Sequence, residues 1–272
     1  MNRVRSHLED LRRRGGKAFI PFIMAGYPSL EATSAFLRGL AEAGADAIEV
    51  GLPFSDPLAD GPVNQTAAHA ALENGATVDW VLAAAASVAP ELSCPILLFT
   101  YLNPLLQRGP RAILKRAAEA GFAGLIVPDL PAEAAGEIRA AAEEAGLGMS
   151  FLVAPTSPPE RIRHAAEASD AFLYAVSLRG VTGARESLPP DLPEFLGRVR
   201  AEADCPVMVG FGIGSPAQAR AAAELADGVI VGSALVRLAG TEGVEAACRL
   251  AREIRGALPA AGPAGTLRTG RY

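Results

Sequence analysis

One unit recurs along this chain and restricts the fold more than any other feature. A helical stretch ends in Ala-Glu-Ala or a close variant, a small residue makes the turn, and a short apolar run rich in β-branched residues follows. The copies are AEAGADAIEVG (41–51), AEAGFAGLIVP (118–128), AEASDAFLYAV (166–176) and AELADGVIVG (223–232), with a looser one in EEAGLGMSFLVAP (143–155). Helix, tight turn, apolar strand and a Gly- or Pro-rich exit form the rhythm of a parallel sheet covered by helices. AFIPFIMAG (18–26), CPILLFTYL (94–102) and CPVMVGFG (205–212) bring the candidate strands to eight. Eight strand–helix units in 272 residues predict an α/β fold, a (β/α)8 TIM barrel, with an extra N-terminal helix over VRSHLEDLRRR. An open doubly wound sheet is the alternative, and it usually has fewer strands. No linker or composition break divides the chain, so one domain is expected over residues 1–272, with a frayed Gly- and Ala-rich tail over 260–272.

Composition excludes several classes of function. Half of the residues are hydrophobic and the net charge is −5, with no basic stripe to meet a nucleic acid. No apolar run reaches the roughly 20 residues that cross a bilayer. The N-terminus lacks the basic-then-apolar pattern of a secretory signal, so a soluble cytoplasmic protein is expected. Three widely spaced cysteines do not suggest a disulfide framework. Cys94 and Cys205 each precede a proline that opens a strand, Cys248 lies in a helical stretch, and all three read as structural. The two lysines, Lys17 and Lys115, do not stand where a strand ends, so a Schiff-base mechanism lacks a placed amine. His7, His69 and His164 are scattered over helical segments, and no metal-ligand spacing occurs. Carboxylates, hydroxyls and backbone groups are left to carry any chemistry.

Side chains alternate along a strand, so in DAIEVG (46–51) Ile48 and Val50 face the helices while Ala47, Glu49 and Gly51 face inward. Glu49 then points into the barrel mouth, where desolvation raises its pKa and suits it to accept and return a proton. A structural pairing with an arginine fits the same position. Asp60 follows on a loop stiffened by Pro53, Pro57 and Pro62, but Asp-Gly-Pro before PVNQTAAHAAL also fits helix N-capping. Asp56, before Pro57, has a similar turn-forming reading. Two strand-to-helix connections, 51–62 and 177–193, are long enough to suggest function at the end of the barrel where such enzymes keep their sites.

GFGIGSP (210–216) and VGSALV (231–236) each open a helix after a late strand, with glycines that admit an anion to backbone N–H groups and Ser233 adding a hydroxyl. That pair predicts phosphate binding, against ordinary turn glycine. In RGVTGAR (179–185), Gly180 and Gly183 suit the hinges of a lid and Thr182 a hydrogen bond to a carboxylate; a plain surface loop is the other reading. Tyr174 fits core packing, although a buried phenol needs a hydrogen-bond partner.

IEVGLPFSDPLADGP, with VPDLP (127–131), RGVTGAR, GFGI (210–213) and VGSA (231–234) in that order, resembles the tryptophan synthase alpha chain family, and the likeness runs from AFIPFIMAGYP onward. The resemblance implies cleavage of indole-3-glycerol phosphate to indole and glyceraldehyde 3-phosphate. On the matching positions, Glu49 is the implied proton shuttle and Asp60 the carboxylate that holds the indole N–H and its developing charge. Thr182 is the implied lid threonine and Tyr174 the tyrosine near Glu49. Phe22, Thr100 and Val127 would line the indole pocket, and Gly183, Phe211, Gly212, Gly232 and Ser233 would hold the phosphate. The family further implies a pyridoxal-phosphate-bearing beta chain, an alpha2beta2 heterotetramer, Pro53, Asp56 and Pro131 on loops facing that partner, and no cofactor on this chain. One departure is Asn64, where relatives usually have an apolar residue; it is expected to alter loop packing or the partner interface without abolishing catalysis. Two rivals stand beside this reading. Another phosphate-binding barrel enzyme of tryptophan biosynthesis would want a strand-end lysine or a different acid–base set, and a non-catalytic subunit that only activates a beta chain has no need of Glu49, Asp60 and Thr182 together.

Overall fold

The computed structural model describes residues 2–176, 188–210 and 212–262. Its strands are β1 (Ala18–Met24), β2 (Ile48–Gly51), β3 (Ile96–Phe99), β4 (Phe122–Ile126), β5 (Gly148–Ser150), β6 (Leu152–Val153), β7 (Leu173–Val176), β8 (Val207–Gly210) and β9 (Gly228–Val231). All pairings are parallel, in the order β5-β4-β3-β2-β1-β9-β8-β7-β6. The two ends of that order, β5 and β6, are separated in the chain by Phe151 alone. Phe151 donates its N–H to Ser169 Oγ at 3.1 Å instead of to a neighbouring strand, and its carbonyl accepts from Tyr174 N–H at 2.9 Å. The broken strand thus pairs with β4 on one side and β7 on the other, and the sheet returns on itself. This is the expected eight-strand barrel with its fifth strand split in two.

Helices alternate with the strands, twelve among the described residues. Ser29, Thr77 and Ser215 cap three of them through their hydroxyls, each cap contributing about 1 kcal/mol. In the recurrent unit, Gly44, Gly121 and Gly146 turn the chain at φ 87°, 94° and 74°, a region that only glycine enters cheaply. The copies without glycine leave their helices at Ser169 (φ −81°) and Ala226 (φ −131°), where none is required.

Alternation divides the strand residues as expected. Phe19, Ile23, Ile48, Val50, Ile96 and Leu98 belong to the large outer core shared with the helices. Ala18, Ile20, Ala47, Leu97, Phe172 and Met208 fill the lower interior together with Val4, Leu8 and Leu11 of the N-terminal helix Arg3–Arg13. That helix is the floor of the barrel. Asp46 anchors it: Oδ1 lies 3.1 Å from His7 Nε2, while Oδ2 accepts from Phe19 N–H at 2.9 Å and from Arg255 at 3.4 Å. The segment after the last helix arrives at the same place, with Gly262 N–H donating to Arg14 O at 2.9 Å and Arg14 Nε returning a bond to Gly262 O at 2.8 Å. Most of the tail expected to fray, 263–272, lies outside the described residues. The three cysteines are buried thiols. Lys17 donates to Ala226 O at 2.6 Å, and Lys115 sits on the helix Pro110–Glu119.

Candidate active site

The inward rows that fill the floor continue upward into the site. Glu49 lies two residues above Ala47, in register with Phe22 of β1 and Leu97 of β3. It is 1 % exposed, and its Oε1 has no hydrogen-bond partner among the described residues. Burial first, and the charge of Asp60 second, push its pKa well above the usual carboxylate range. An arginine that would bring it down is not among these influences, which weakens the structural-pairing reading.

Asp60 is held from several sides. Its N–H donates to Pro57 O at 3.0 Å and its carbonyl accepts from Gln65 Nε2 at 2.8 Å. The Tyr101 hydroxyl donates to Oδ2 at 2.8 Å, and Asn64 Nδ2 donates to Oδ1 at 3.1 Å. Burial raises its pKa, and these two side-chain hydrogen bonds oppose the rise. Tyr101 also accepts from Ala59 N–H at 3.0 Å, and its ring lies 5.4 Å from that of Phe54. Burial and the neighbouring Asp60 keep its phenol a neutral donor. Helix capping is not the role of Asp60. The helix Pro62–Glu73 begins at Gly61, with Pro62 in its first turn and no side-chain cap.

Tyr174 stands on β7 above Phe172 and belongs to the same group. Burial, then the charges of Glu49 and Asp60, push its phenol well above its ordinary value. A Cβ at Gly210 would come within 2.6 Å of its hydroxyl, so glycine there makes room for the phenol. Gly51 does the same for Phe22, whose Cζ a Cβ would approach to 2.6 Å. Phe22 meets Phe99 edge-on at 5.3 Å. Thr100 is fully buried with its hydroxyl donating to Tyr101 O at 3.3 Å, and Val127 is buried just beyond β4.

Gly232 opens the helix Ser233–Thr241 with no side-chain cap, Ser233 is exposed, and Gly232 packs beside Phe22. Gly212 is exposed at φ 34°. Thr182, Gly183 and Phe211 lie outside the described residues. Of the positions expected to face a partner, Asp56 and Pro131 are exposed and Pro53 is buried within the chain. Leu58, between Asp56 and Asp60, is 82 % exposed. Among the described residues no cluster of His, Cys, Asp or Glu is arranged to hold a metal, and no helix is long and apolar enough to cross a membrane.

Sequence reasoning missed Tyr101 and the contact of Asn64 with Asp60. A tyrosine closing an apolar strand run was the only signal for the first. The resulting mouth offers one carboxyl biased toward its protonated form beside a second that two donors stabilise as an anion. Such a pair can give a proton and take one back while holding positive charge nearby.

The model of the tryptophan synthase alpha chain family matches residues 8–257. The chain is similar to the tryptophan synthase alpha chain of a Picosynechococcus species, with 50 % identity over 242 residues covering 89 % of this chain and 92 % of the relative. For that of a Synechocystis species the identity is 47 % over 263 residues, covering 95 % and 100 %. Among solved structures it resembles Mycobacterium tuberculosis tryptophan synthase, at 43 % identity and a TM-score of 0.88 over 95 % of this chain and 98 % of that one. It also resembles the alpha subunit from Legionella pneumophila, at 36 % identity and a TM-score of 0.85 over 94 % and 98 %. With the family model covering nearly the whole barrel and relatives this similar along almost their full length, the chain belongs to the tryptophan synthase alpha chain family.

Proposed function

We infer that Glu49 and Asp60 carry the cleavage of indole-3-glycerol phosphate to indole and glyceraldehyde 3-phosphate, the alpha reaction of tryptophan biosynthesis. The observation that carries these roles is the fully buried Glu49 carboxyl with an unpartnered oxygen, set in the field of Asp60. Protonated Glu49 gives its proton to carbon 3 of the indole, and positive charge develops at the ring N–H, which Asp60 accepts. The Glu49 carboxylate then takes the proton of the glycerol hydroxyl next to the ring. That C–O becomes the aldehyde carbonyl, the carbon–carbon bond breaks, and its electrons return to the ring and restore indole. Glu49 ends as it began, protonated. An anion set against developing charge is often the largest catalytic contribution, and the bonds from Tyr101 and Asn64 favour the ionised form that this role needs.

Phe22, Thr100 and Val127 suit an apolar ring, with Tyr174 beside Glu49. The open helix start at Gly232 and Ser233, with Gly212, suits the phosphate; Gly183, Phe211 and Thr182 complete that reading from outside the described residues. The chain acts as one domain in the cytoplasm, paired with a beta chain that carries pyridoxal phosphate in an alpha2beta2 heterotetramer. Exposed Asp56, Leu58 and Pro131 supply contact surface for that partner.

The experiment is indole release from indole-3-glycerol phosphate by the purified chain, with Glu49→Gln and Asp60→Ala alongside. A loss of roughly two or more decades is expected for each. Full activity in both overturns the assignment. Co-purification with a beta chain tests the partner.

A further inference from the structure

We propose that Asn64 is a positioning residue for Asp60, its carboxamide holding Oδ1 of the carboxylate while Tyr101 holds Oδ2. Asn64 is the third residue of the helix Pro62–Glu73. Side chains at that position commonly reach back to a backbone N–H of the cap residue. Here Asn64 passes over the cap residue Gly61 and donates to the Asp60 side chain at 3.1 Å. The next residue, Gln65, reaches the Asp60 carbonyl at 2.8 Å. The first turn of a helix therefore grips both the side chain and the carbonyl of a loop residue, and Asp60 is carried by a rigid element.

The other half of the carboxamide gives the second argument. Asn64 Oδ1 is buried with no hydrogen-bond partner among the described residues. A side chain that only filled this space would gain from being apolar and would not bury an unpaired oxygen. The bond to Asp60 is what the carboxamide provides. Turned over, the same group could accept from a protonated Asp60, but a bond to the anion is the stronger of the two. Asn64 therefore favours the ionised carboxylate. The groups that face Asp60 are the carboxyl of Glu49 and the phenols of Tyr101 and Tyr174. Burial works against ionisation, and Tyr101 works with Asn64.

The catalytic consequence rests on the lyase reading, whereas the titration of Asp60 does not, so the test reads both. Asp60 is followed by carboxyl-carbon NMR in the 13C-aspartate-labelled chain, with Asp60→Asn to assign its signal. In Asn64→Leu its midpoint should move about one pH unit upward, the order expected when one hydrogen bond to a charged group is lost. Indole release should fall about tenfold, mostly in kcat, and the acid limb of its pH profile should move up with the titration. Asn64→Asp keeps the size and adds a like charge, so a larger upward movement is expected. Asn64→Gln, which keeps a donor, should recover most of the wild-type profile. These two variants decide the matter if Asn64→Leu does not fold. An Asp60 midpoint unchanged in Asn64→Leu, or unchanged in Asn64→Asp where Asn64→Leu does not fold, overturns the proposal. A shifted midpoint in a chain whose wild type releases no indole leaves the proposal standing and removes the lyase reading.

Discussion

Ala47 and Glu49 share one inward face of the second strand segment, two residues apart, yet they meet different chemistry. With Ala47 cluster Ile20, Phe172 and Met208, sealed from below by Val4, Leu8 and Leu11 of the helix Arg3–Arg13. Around Glu49 lie Phe22, Tyr174 and the field of Asp60, and one carboxyl oxygen is left without a partner. The same step separates Phe172 from Tyr174 on β7. Two residues of strand rise, about 6.6 Å, convert a dry core into a reactive mouth. The lower end gains from burial, each large side chain contributing roughly 1.5–3 kcal/mol. The upper end gives some of that up, because a buried polar group without a partner is costly. Stability and chemistry are thus separated along the barrel axis on shared strands.

The largest expected effect tests the floor. Phe172→Ala should remove about 3–5 kcal/mol of stability, read by denaturant unfolding, while the folded fraction keeps its turnover within a few-fold. Activity lost without stability would break the division between the two ends. Tyr101→Phe tests the mouth. It removes the donor to Asp60 Oδ2 and the acceptor of Ala59 N–H. Indole release should fall about tenfold, with the acid limb of its pH profile displaced upward, since the lost bond opposed the raised pKa of Asp60.

Glu49→Gln sharpens the comparison through stability. The folded pKa of Glu49 lies well above its ordinary 4.5. The fold therefore favours the protonated form, and the wild type carries no penalty below about that ordinary value. The penalty grows as pH rises from there toward the folded pKa. The variant should melt roughly 2–4 °C above wild type at pH 8, the gap closing near pH 4, although its activity is lost. A variant less stable than wild type at every pH would contradict this. The smallest effect concerns the rim. Leu58→Ser should alter the melting of the isolated chain by no more than about 0.5 kcal/mol, because Leu58 is 82 % exposed. It should weaken capture of a beta chain, which co-purification reads.

What could be read without coordinates follows from the range over which each feature is encoded. The strands, their inward parity and the floor helix come from local periodicity, so Glu49 could be aimed correctly from Ile48 and Val50 alone. The split at Phe151 could not, because it depends on Ser169, 18 positions away, taking the N–H that a neighbouring strand would otherwise pair. Tyr101 lies 41 positions from Asp60, and nothing within CPILLFTYL distinguishes a tyrosine that serves a carboxylate from one that packs. Asn64 is close in sequence to Asp60, but its carboxamide suits a solvated helix face equally well until the helix start is seen to exclude Asp60 as a cap. The open readings of Glu49 and Asp60 were limited by the same gap: spacing gives direction, and only the packed neighbours give a role.

The floor helix has a consequence in time. Residues 3–13 leave the ribosome before every strand of the barrel, yet their cluster includes Met208 and Ile230, and the stretch around Arg14 is pinned by Gly262. While most of the barrel is being made, that amphipathic segment has no finished socket and must wait with Val4, Leu8 and Leu11 uncovered. A segment made ahead of the strands is then among the last to be seated, and during that interval the nascent chain is most exposed to aggregation and to chaperones.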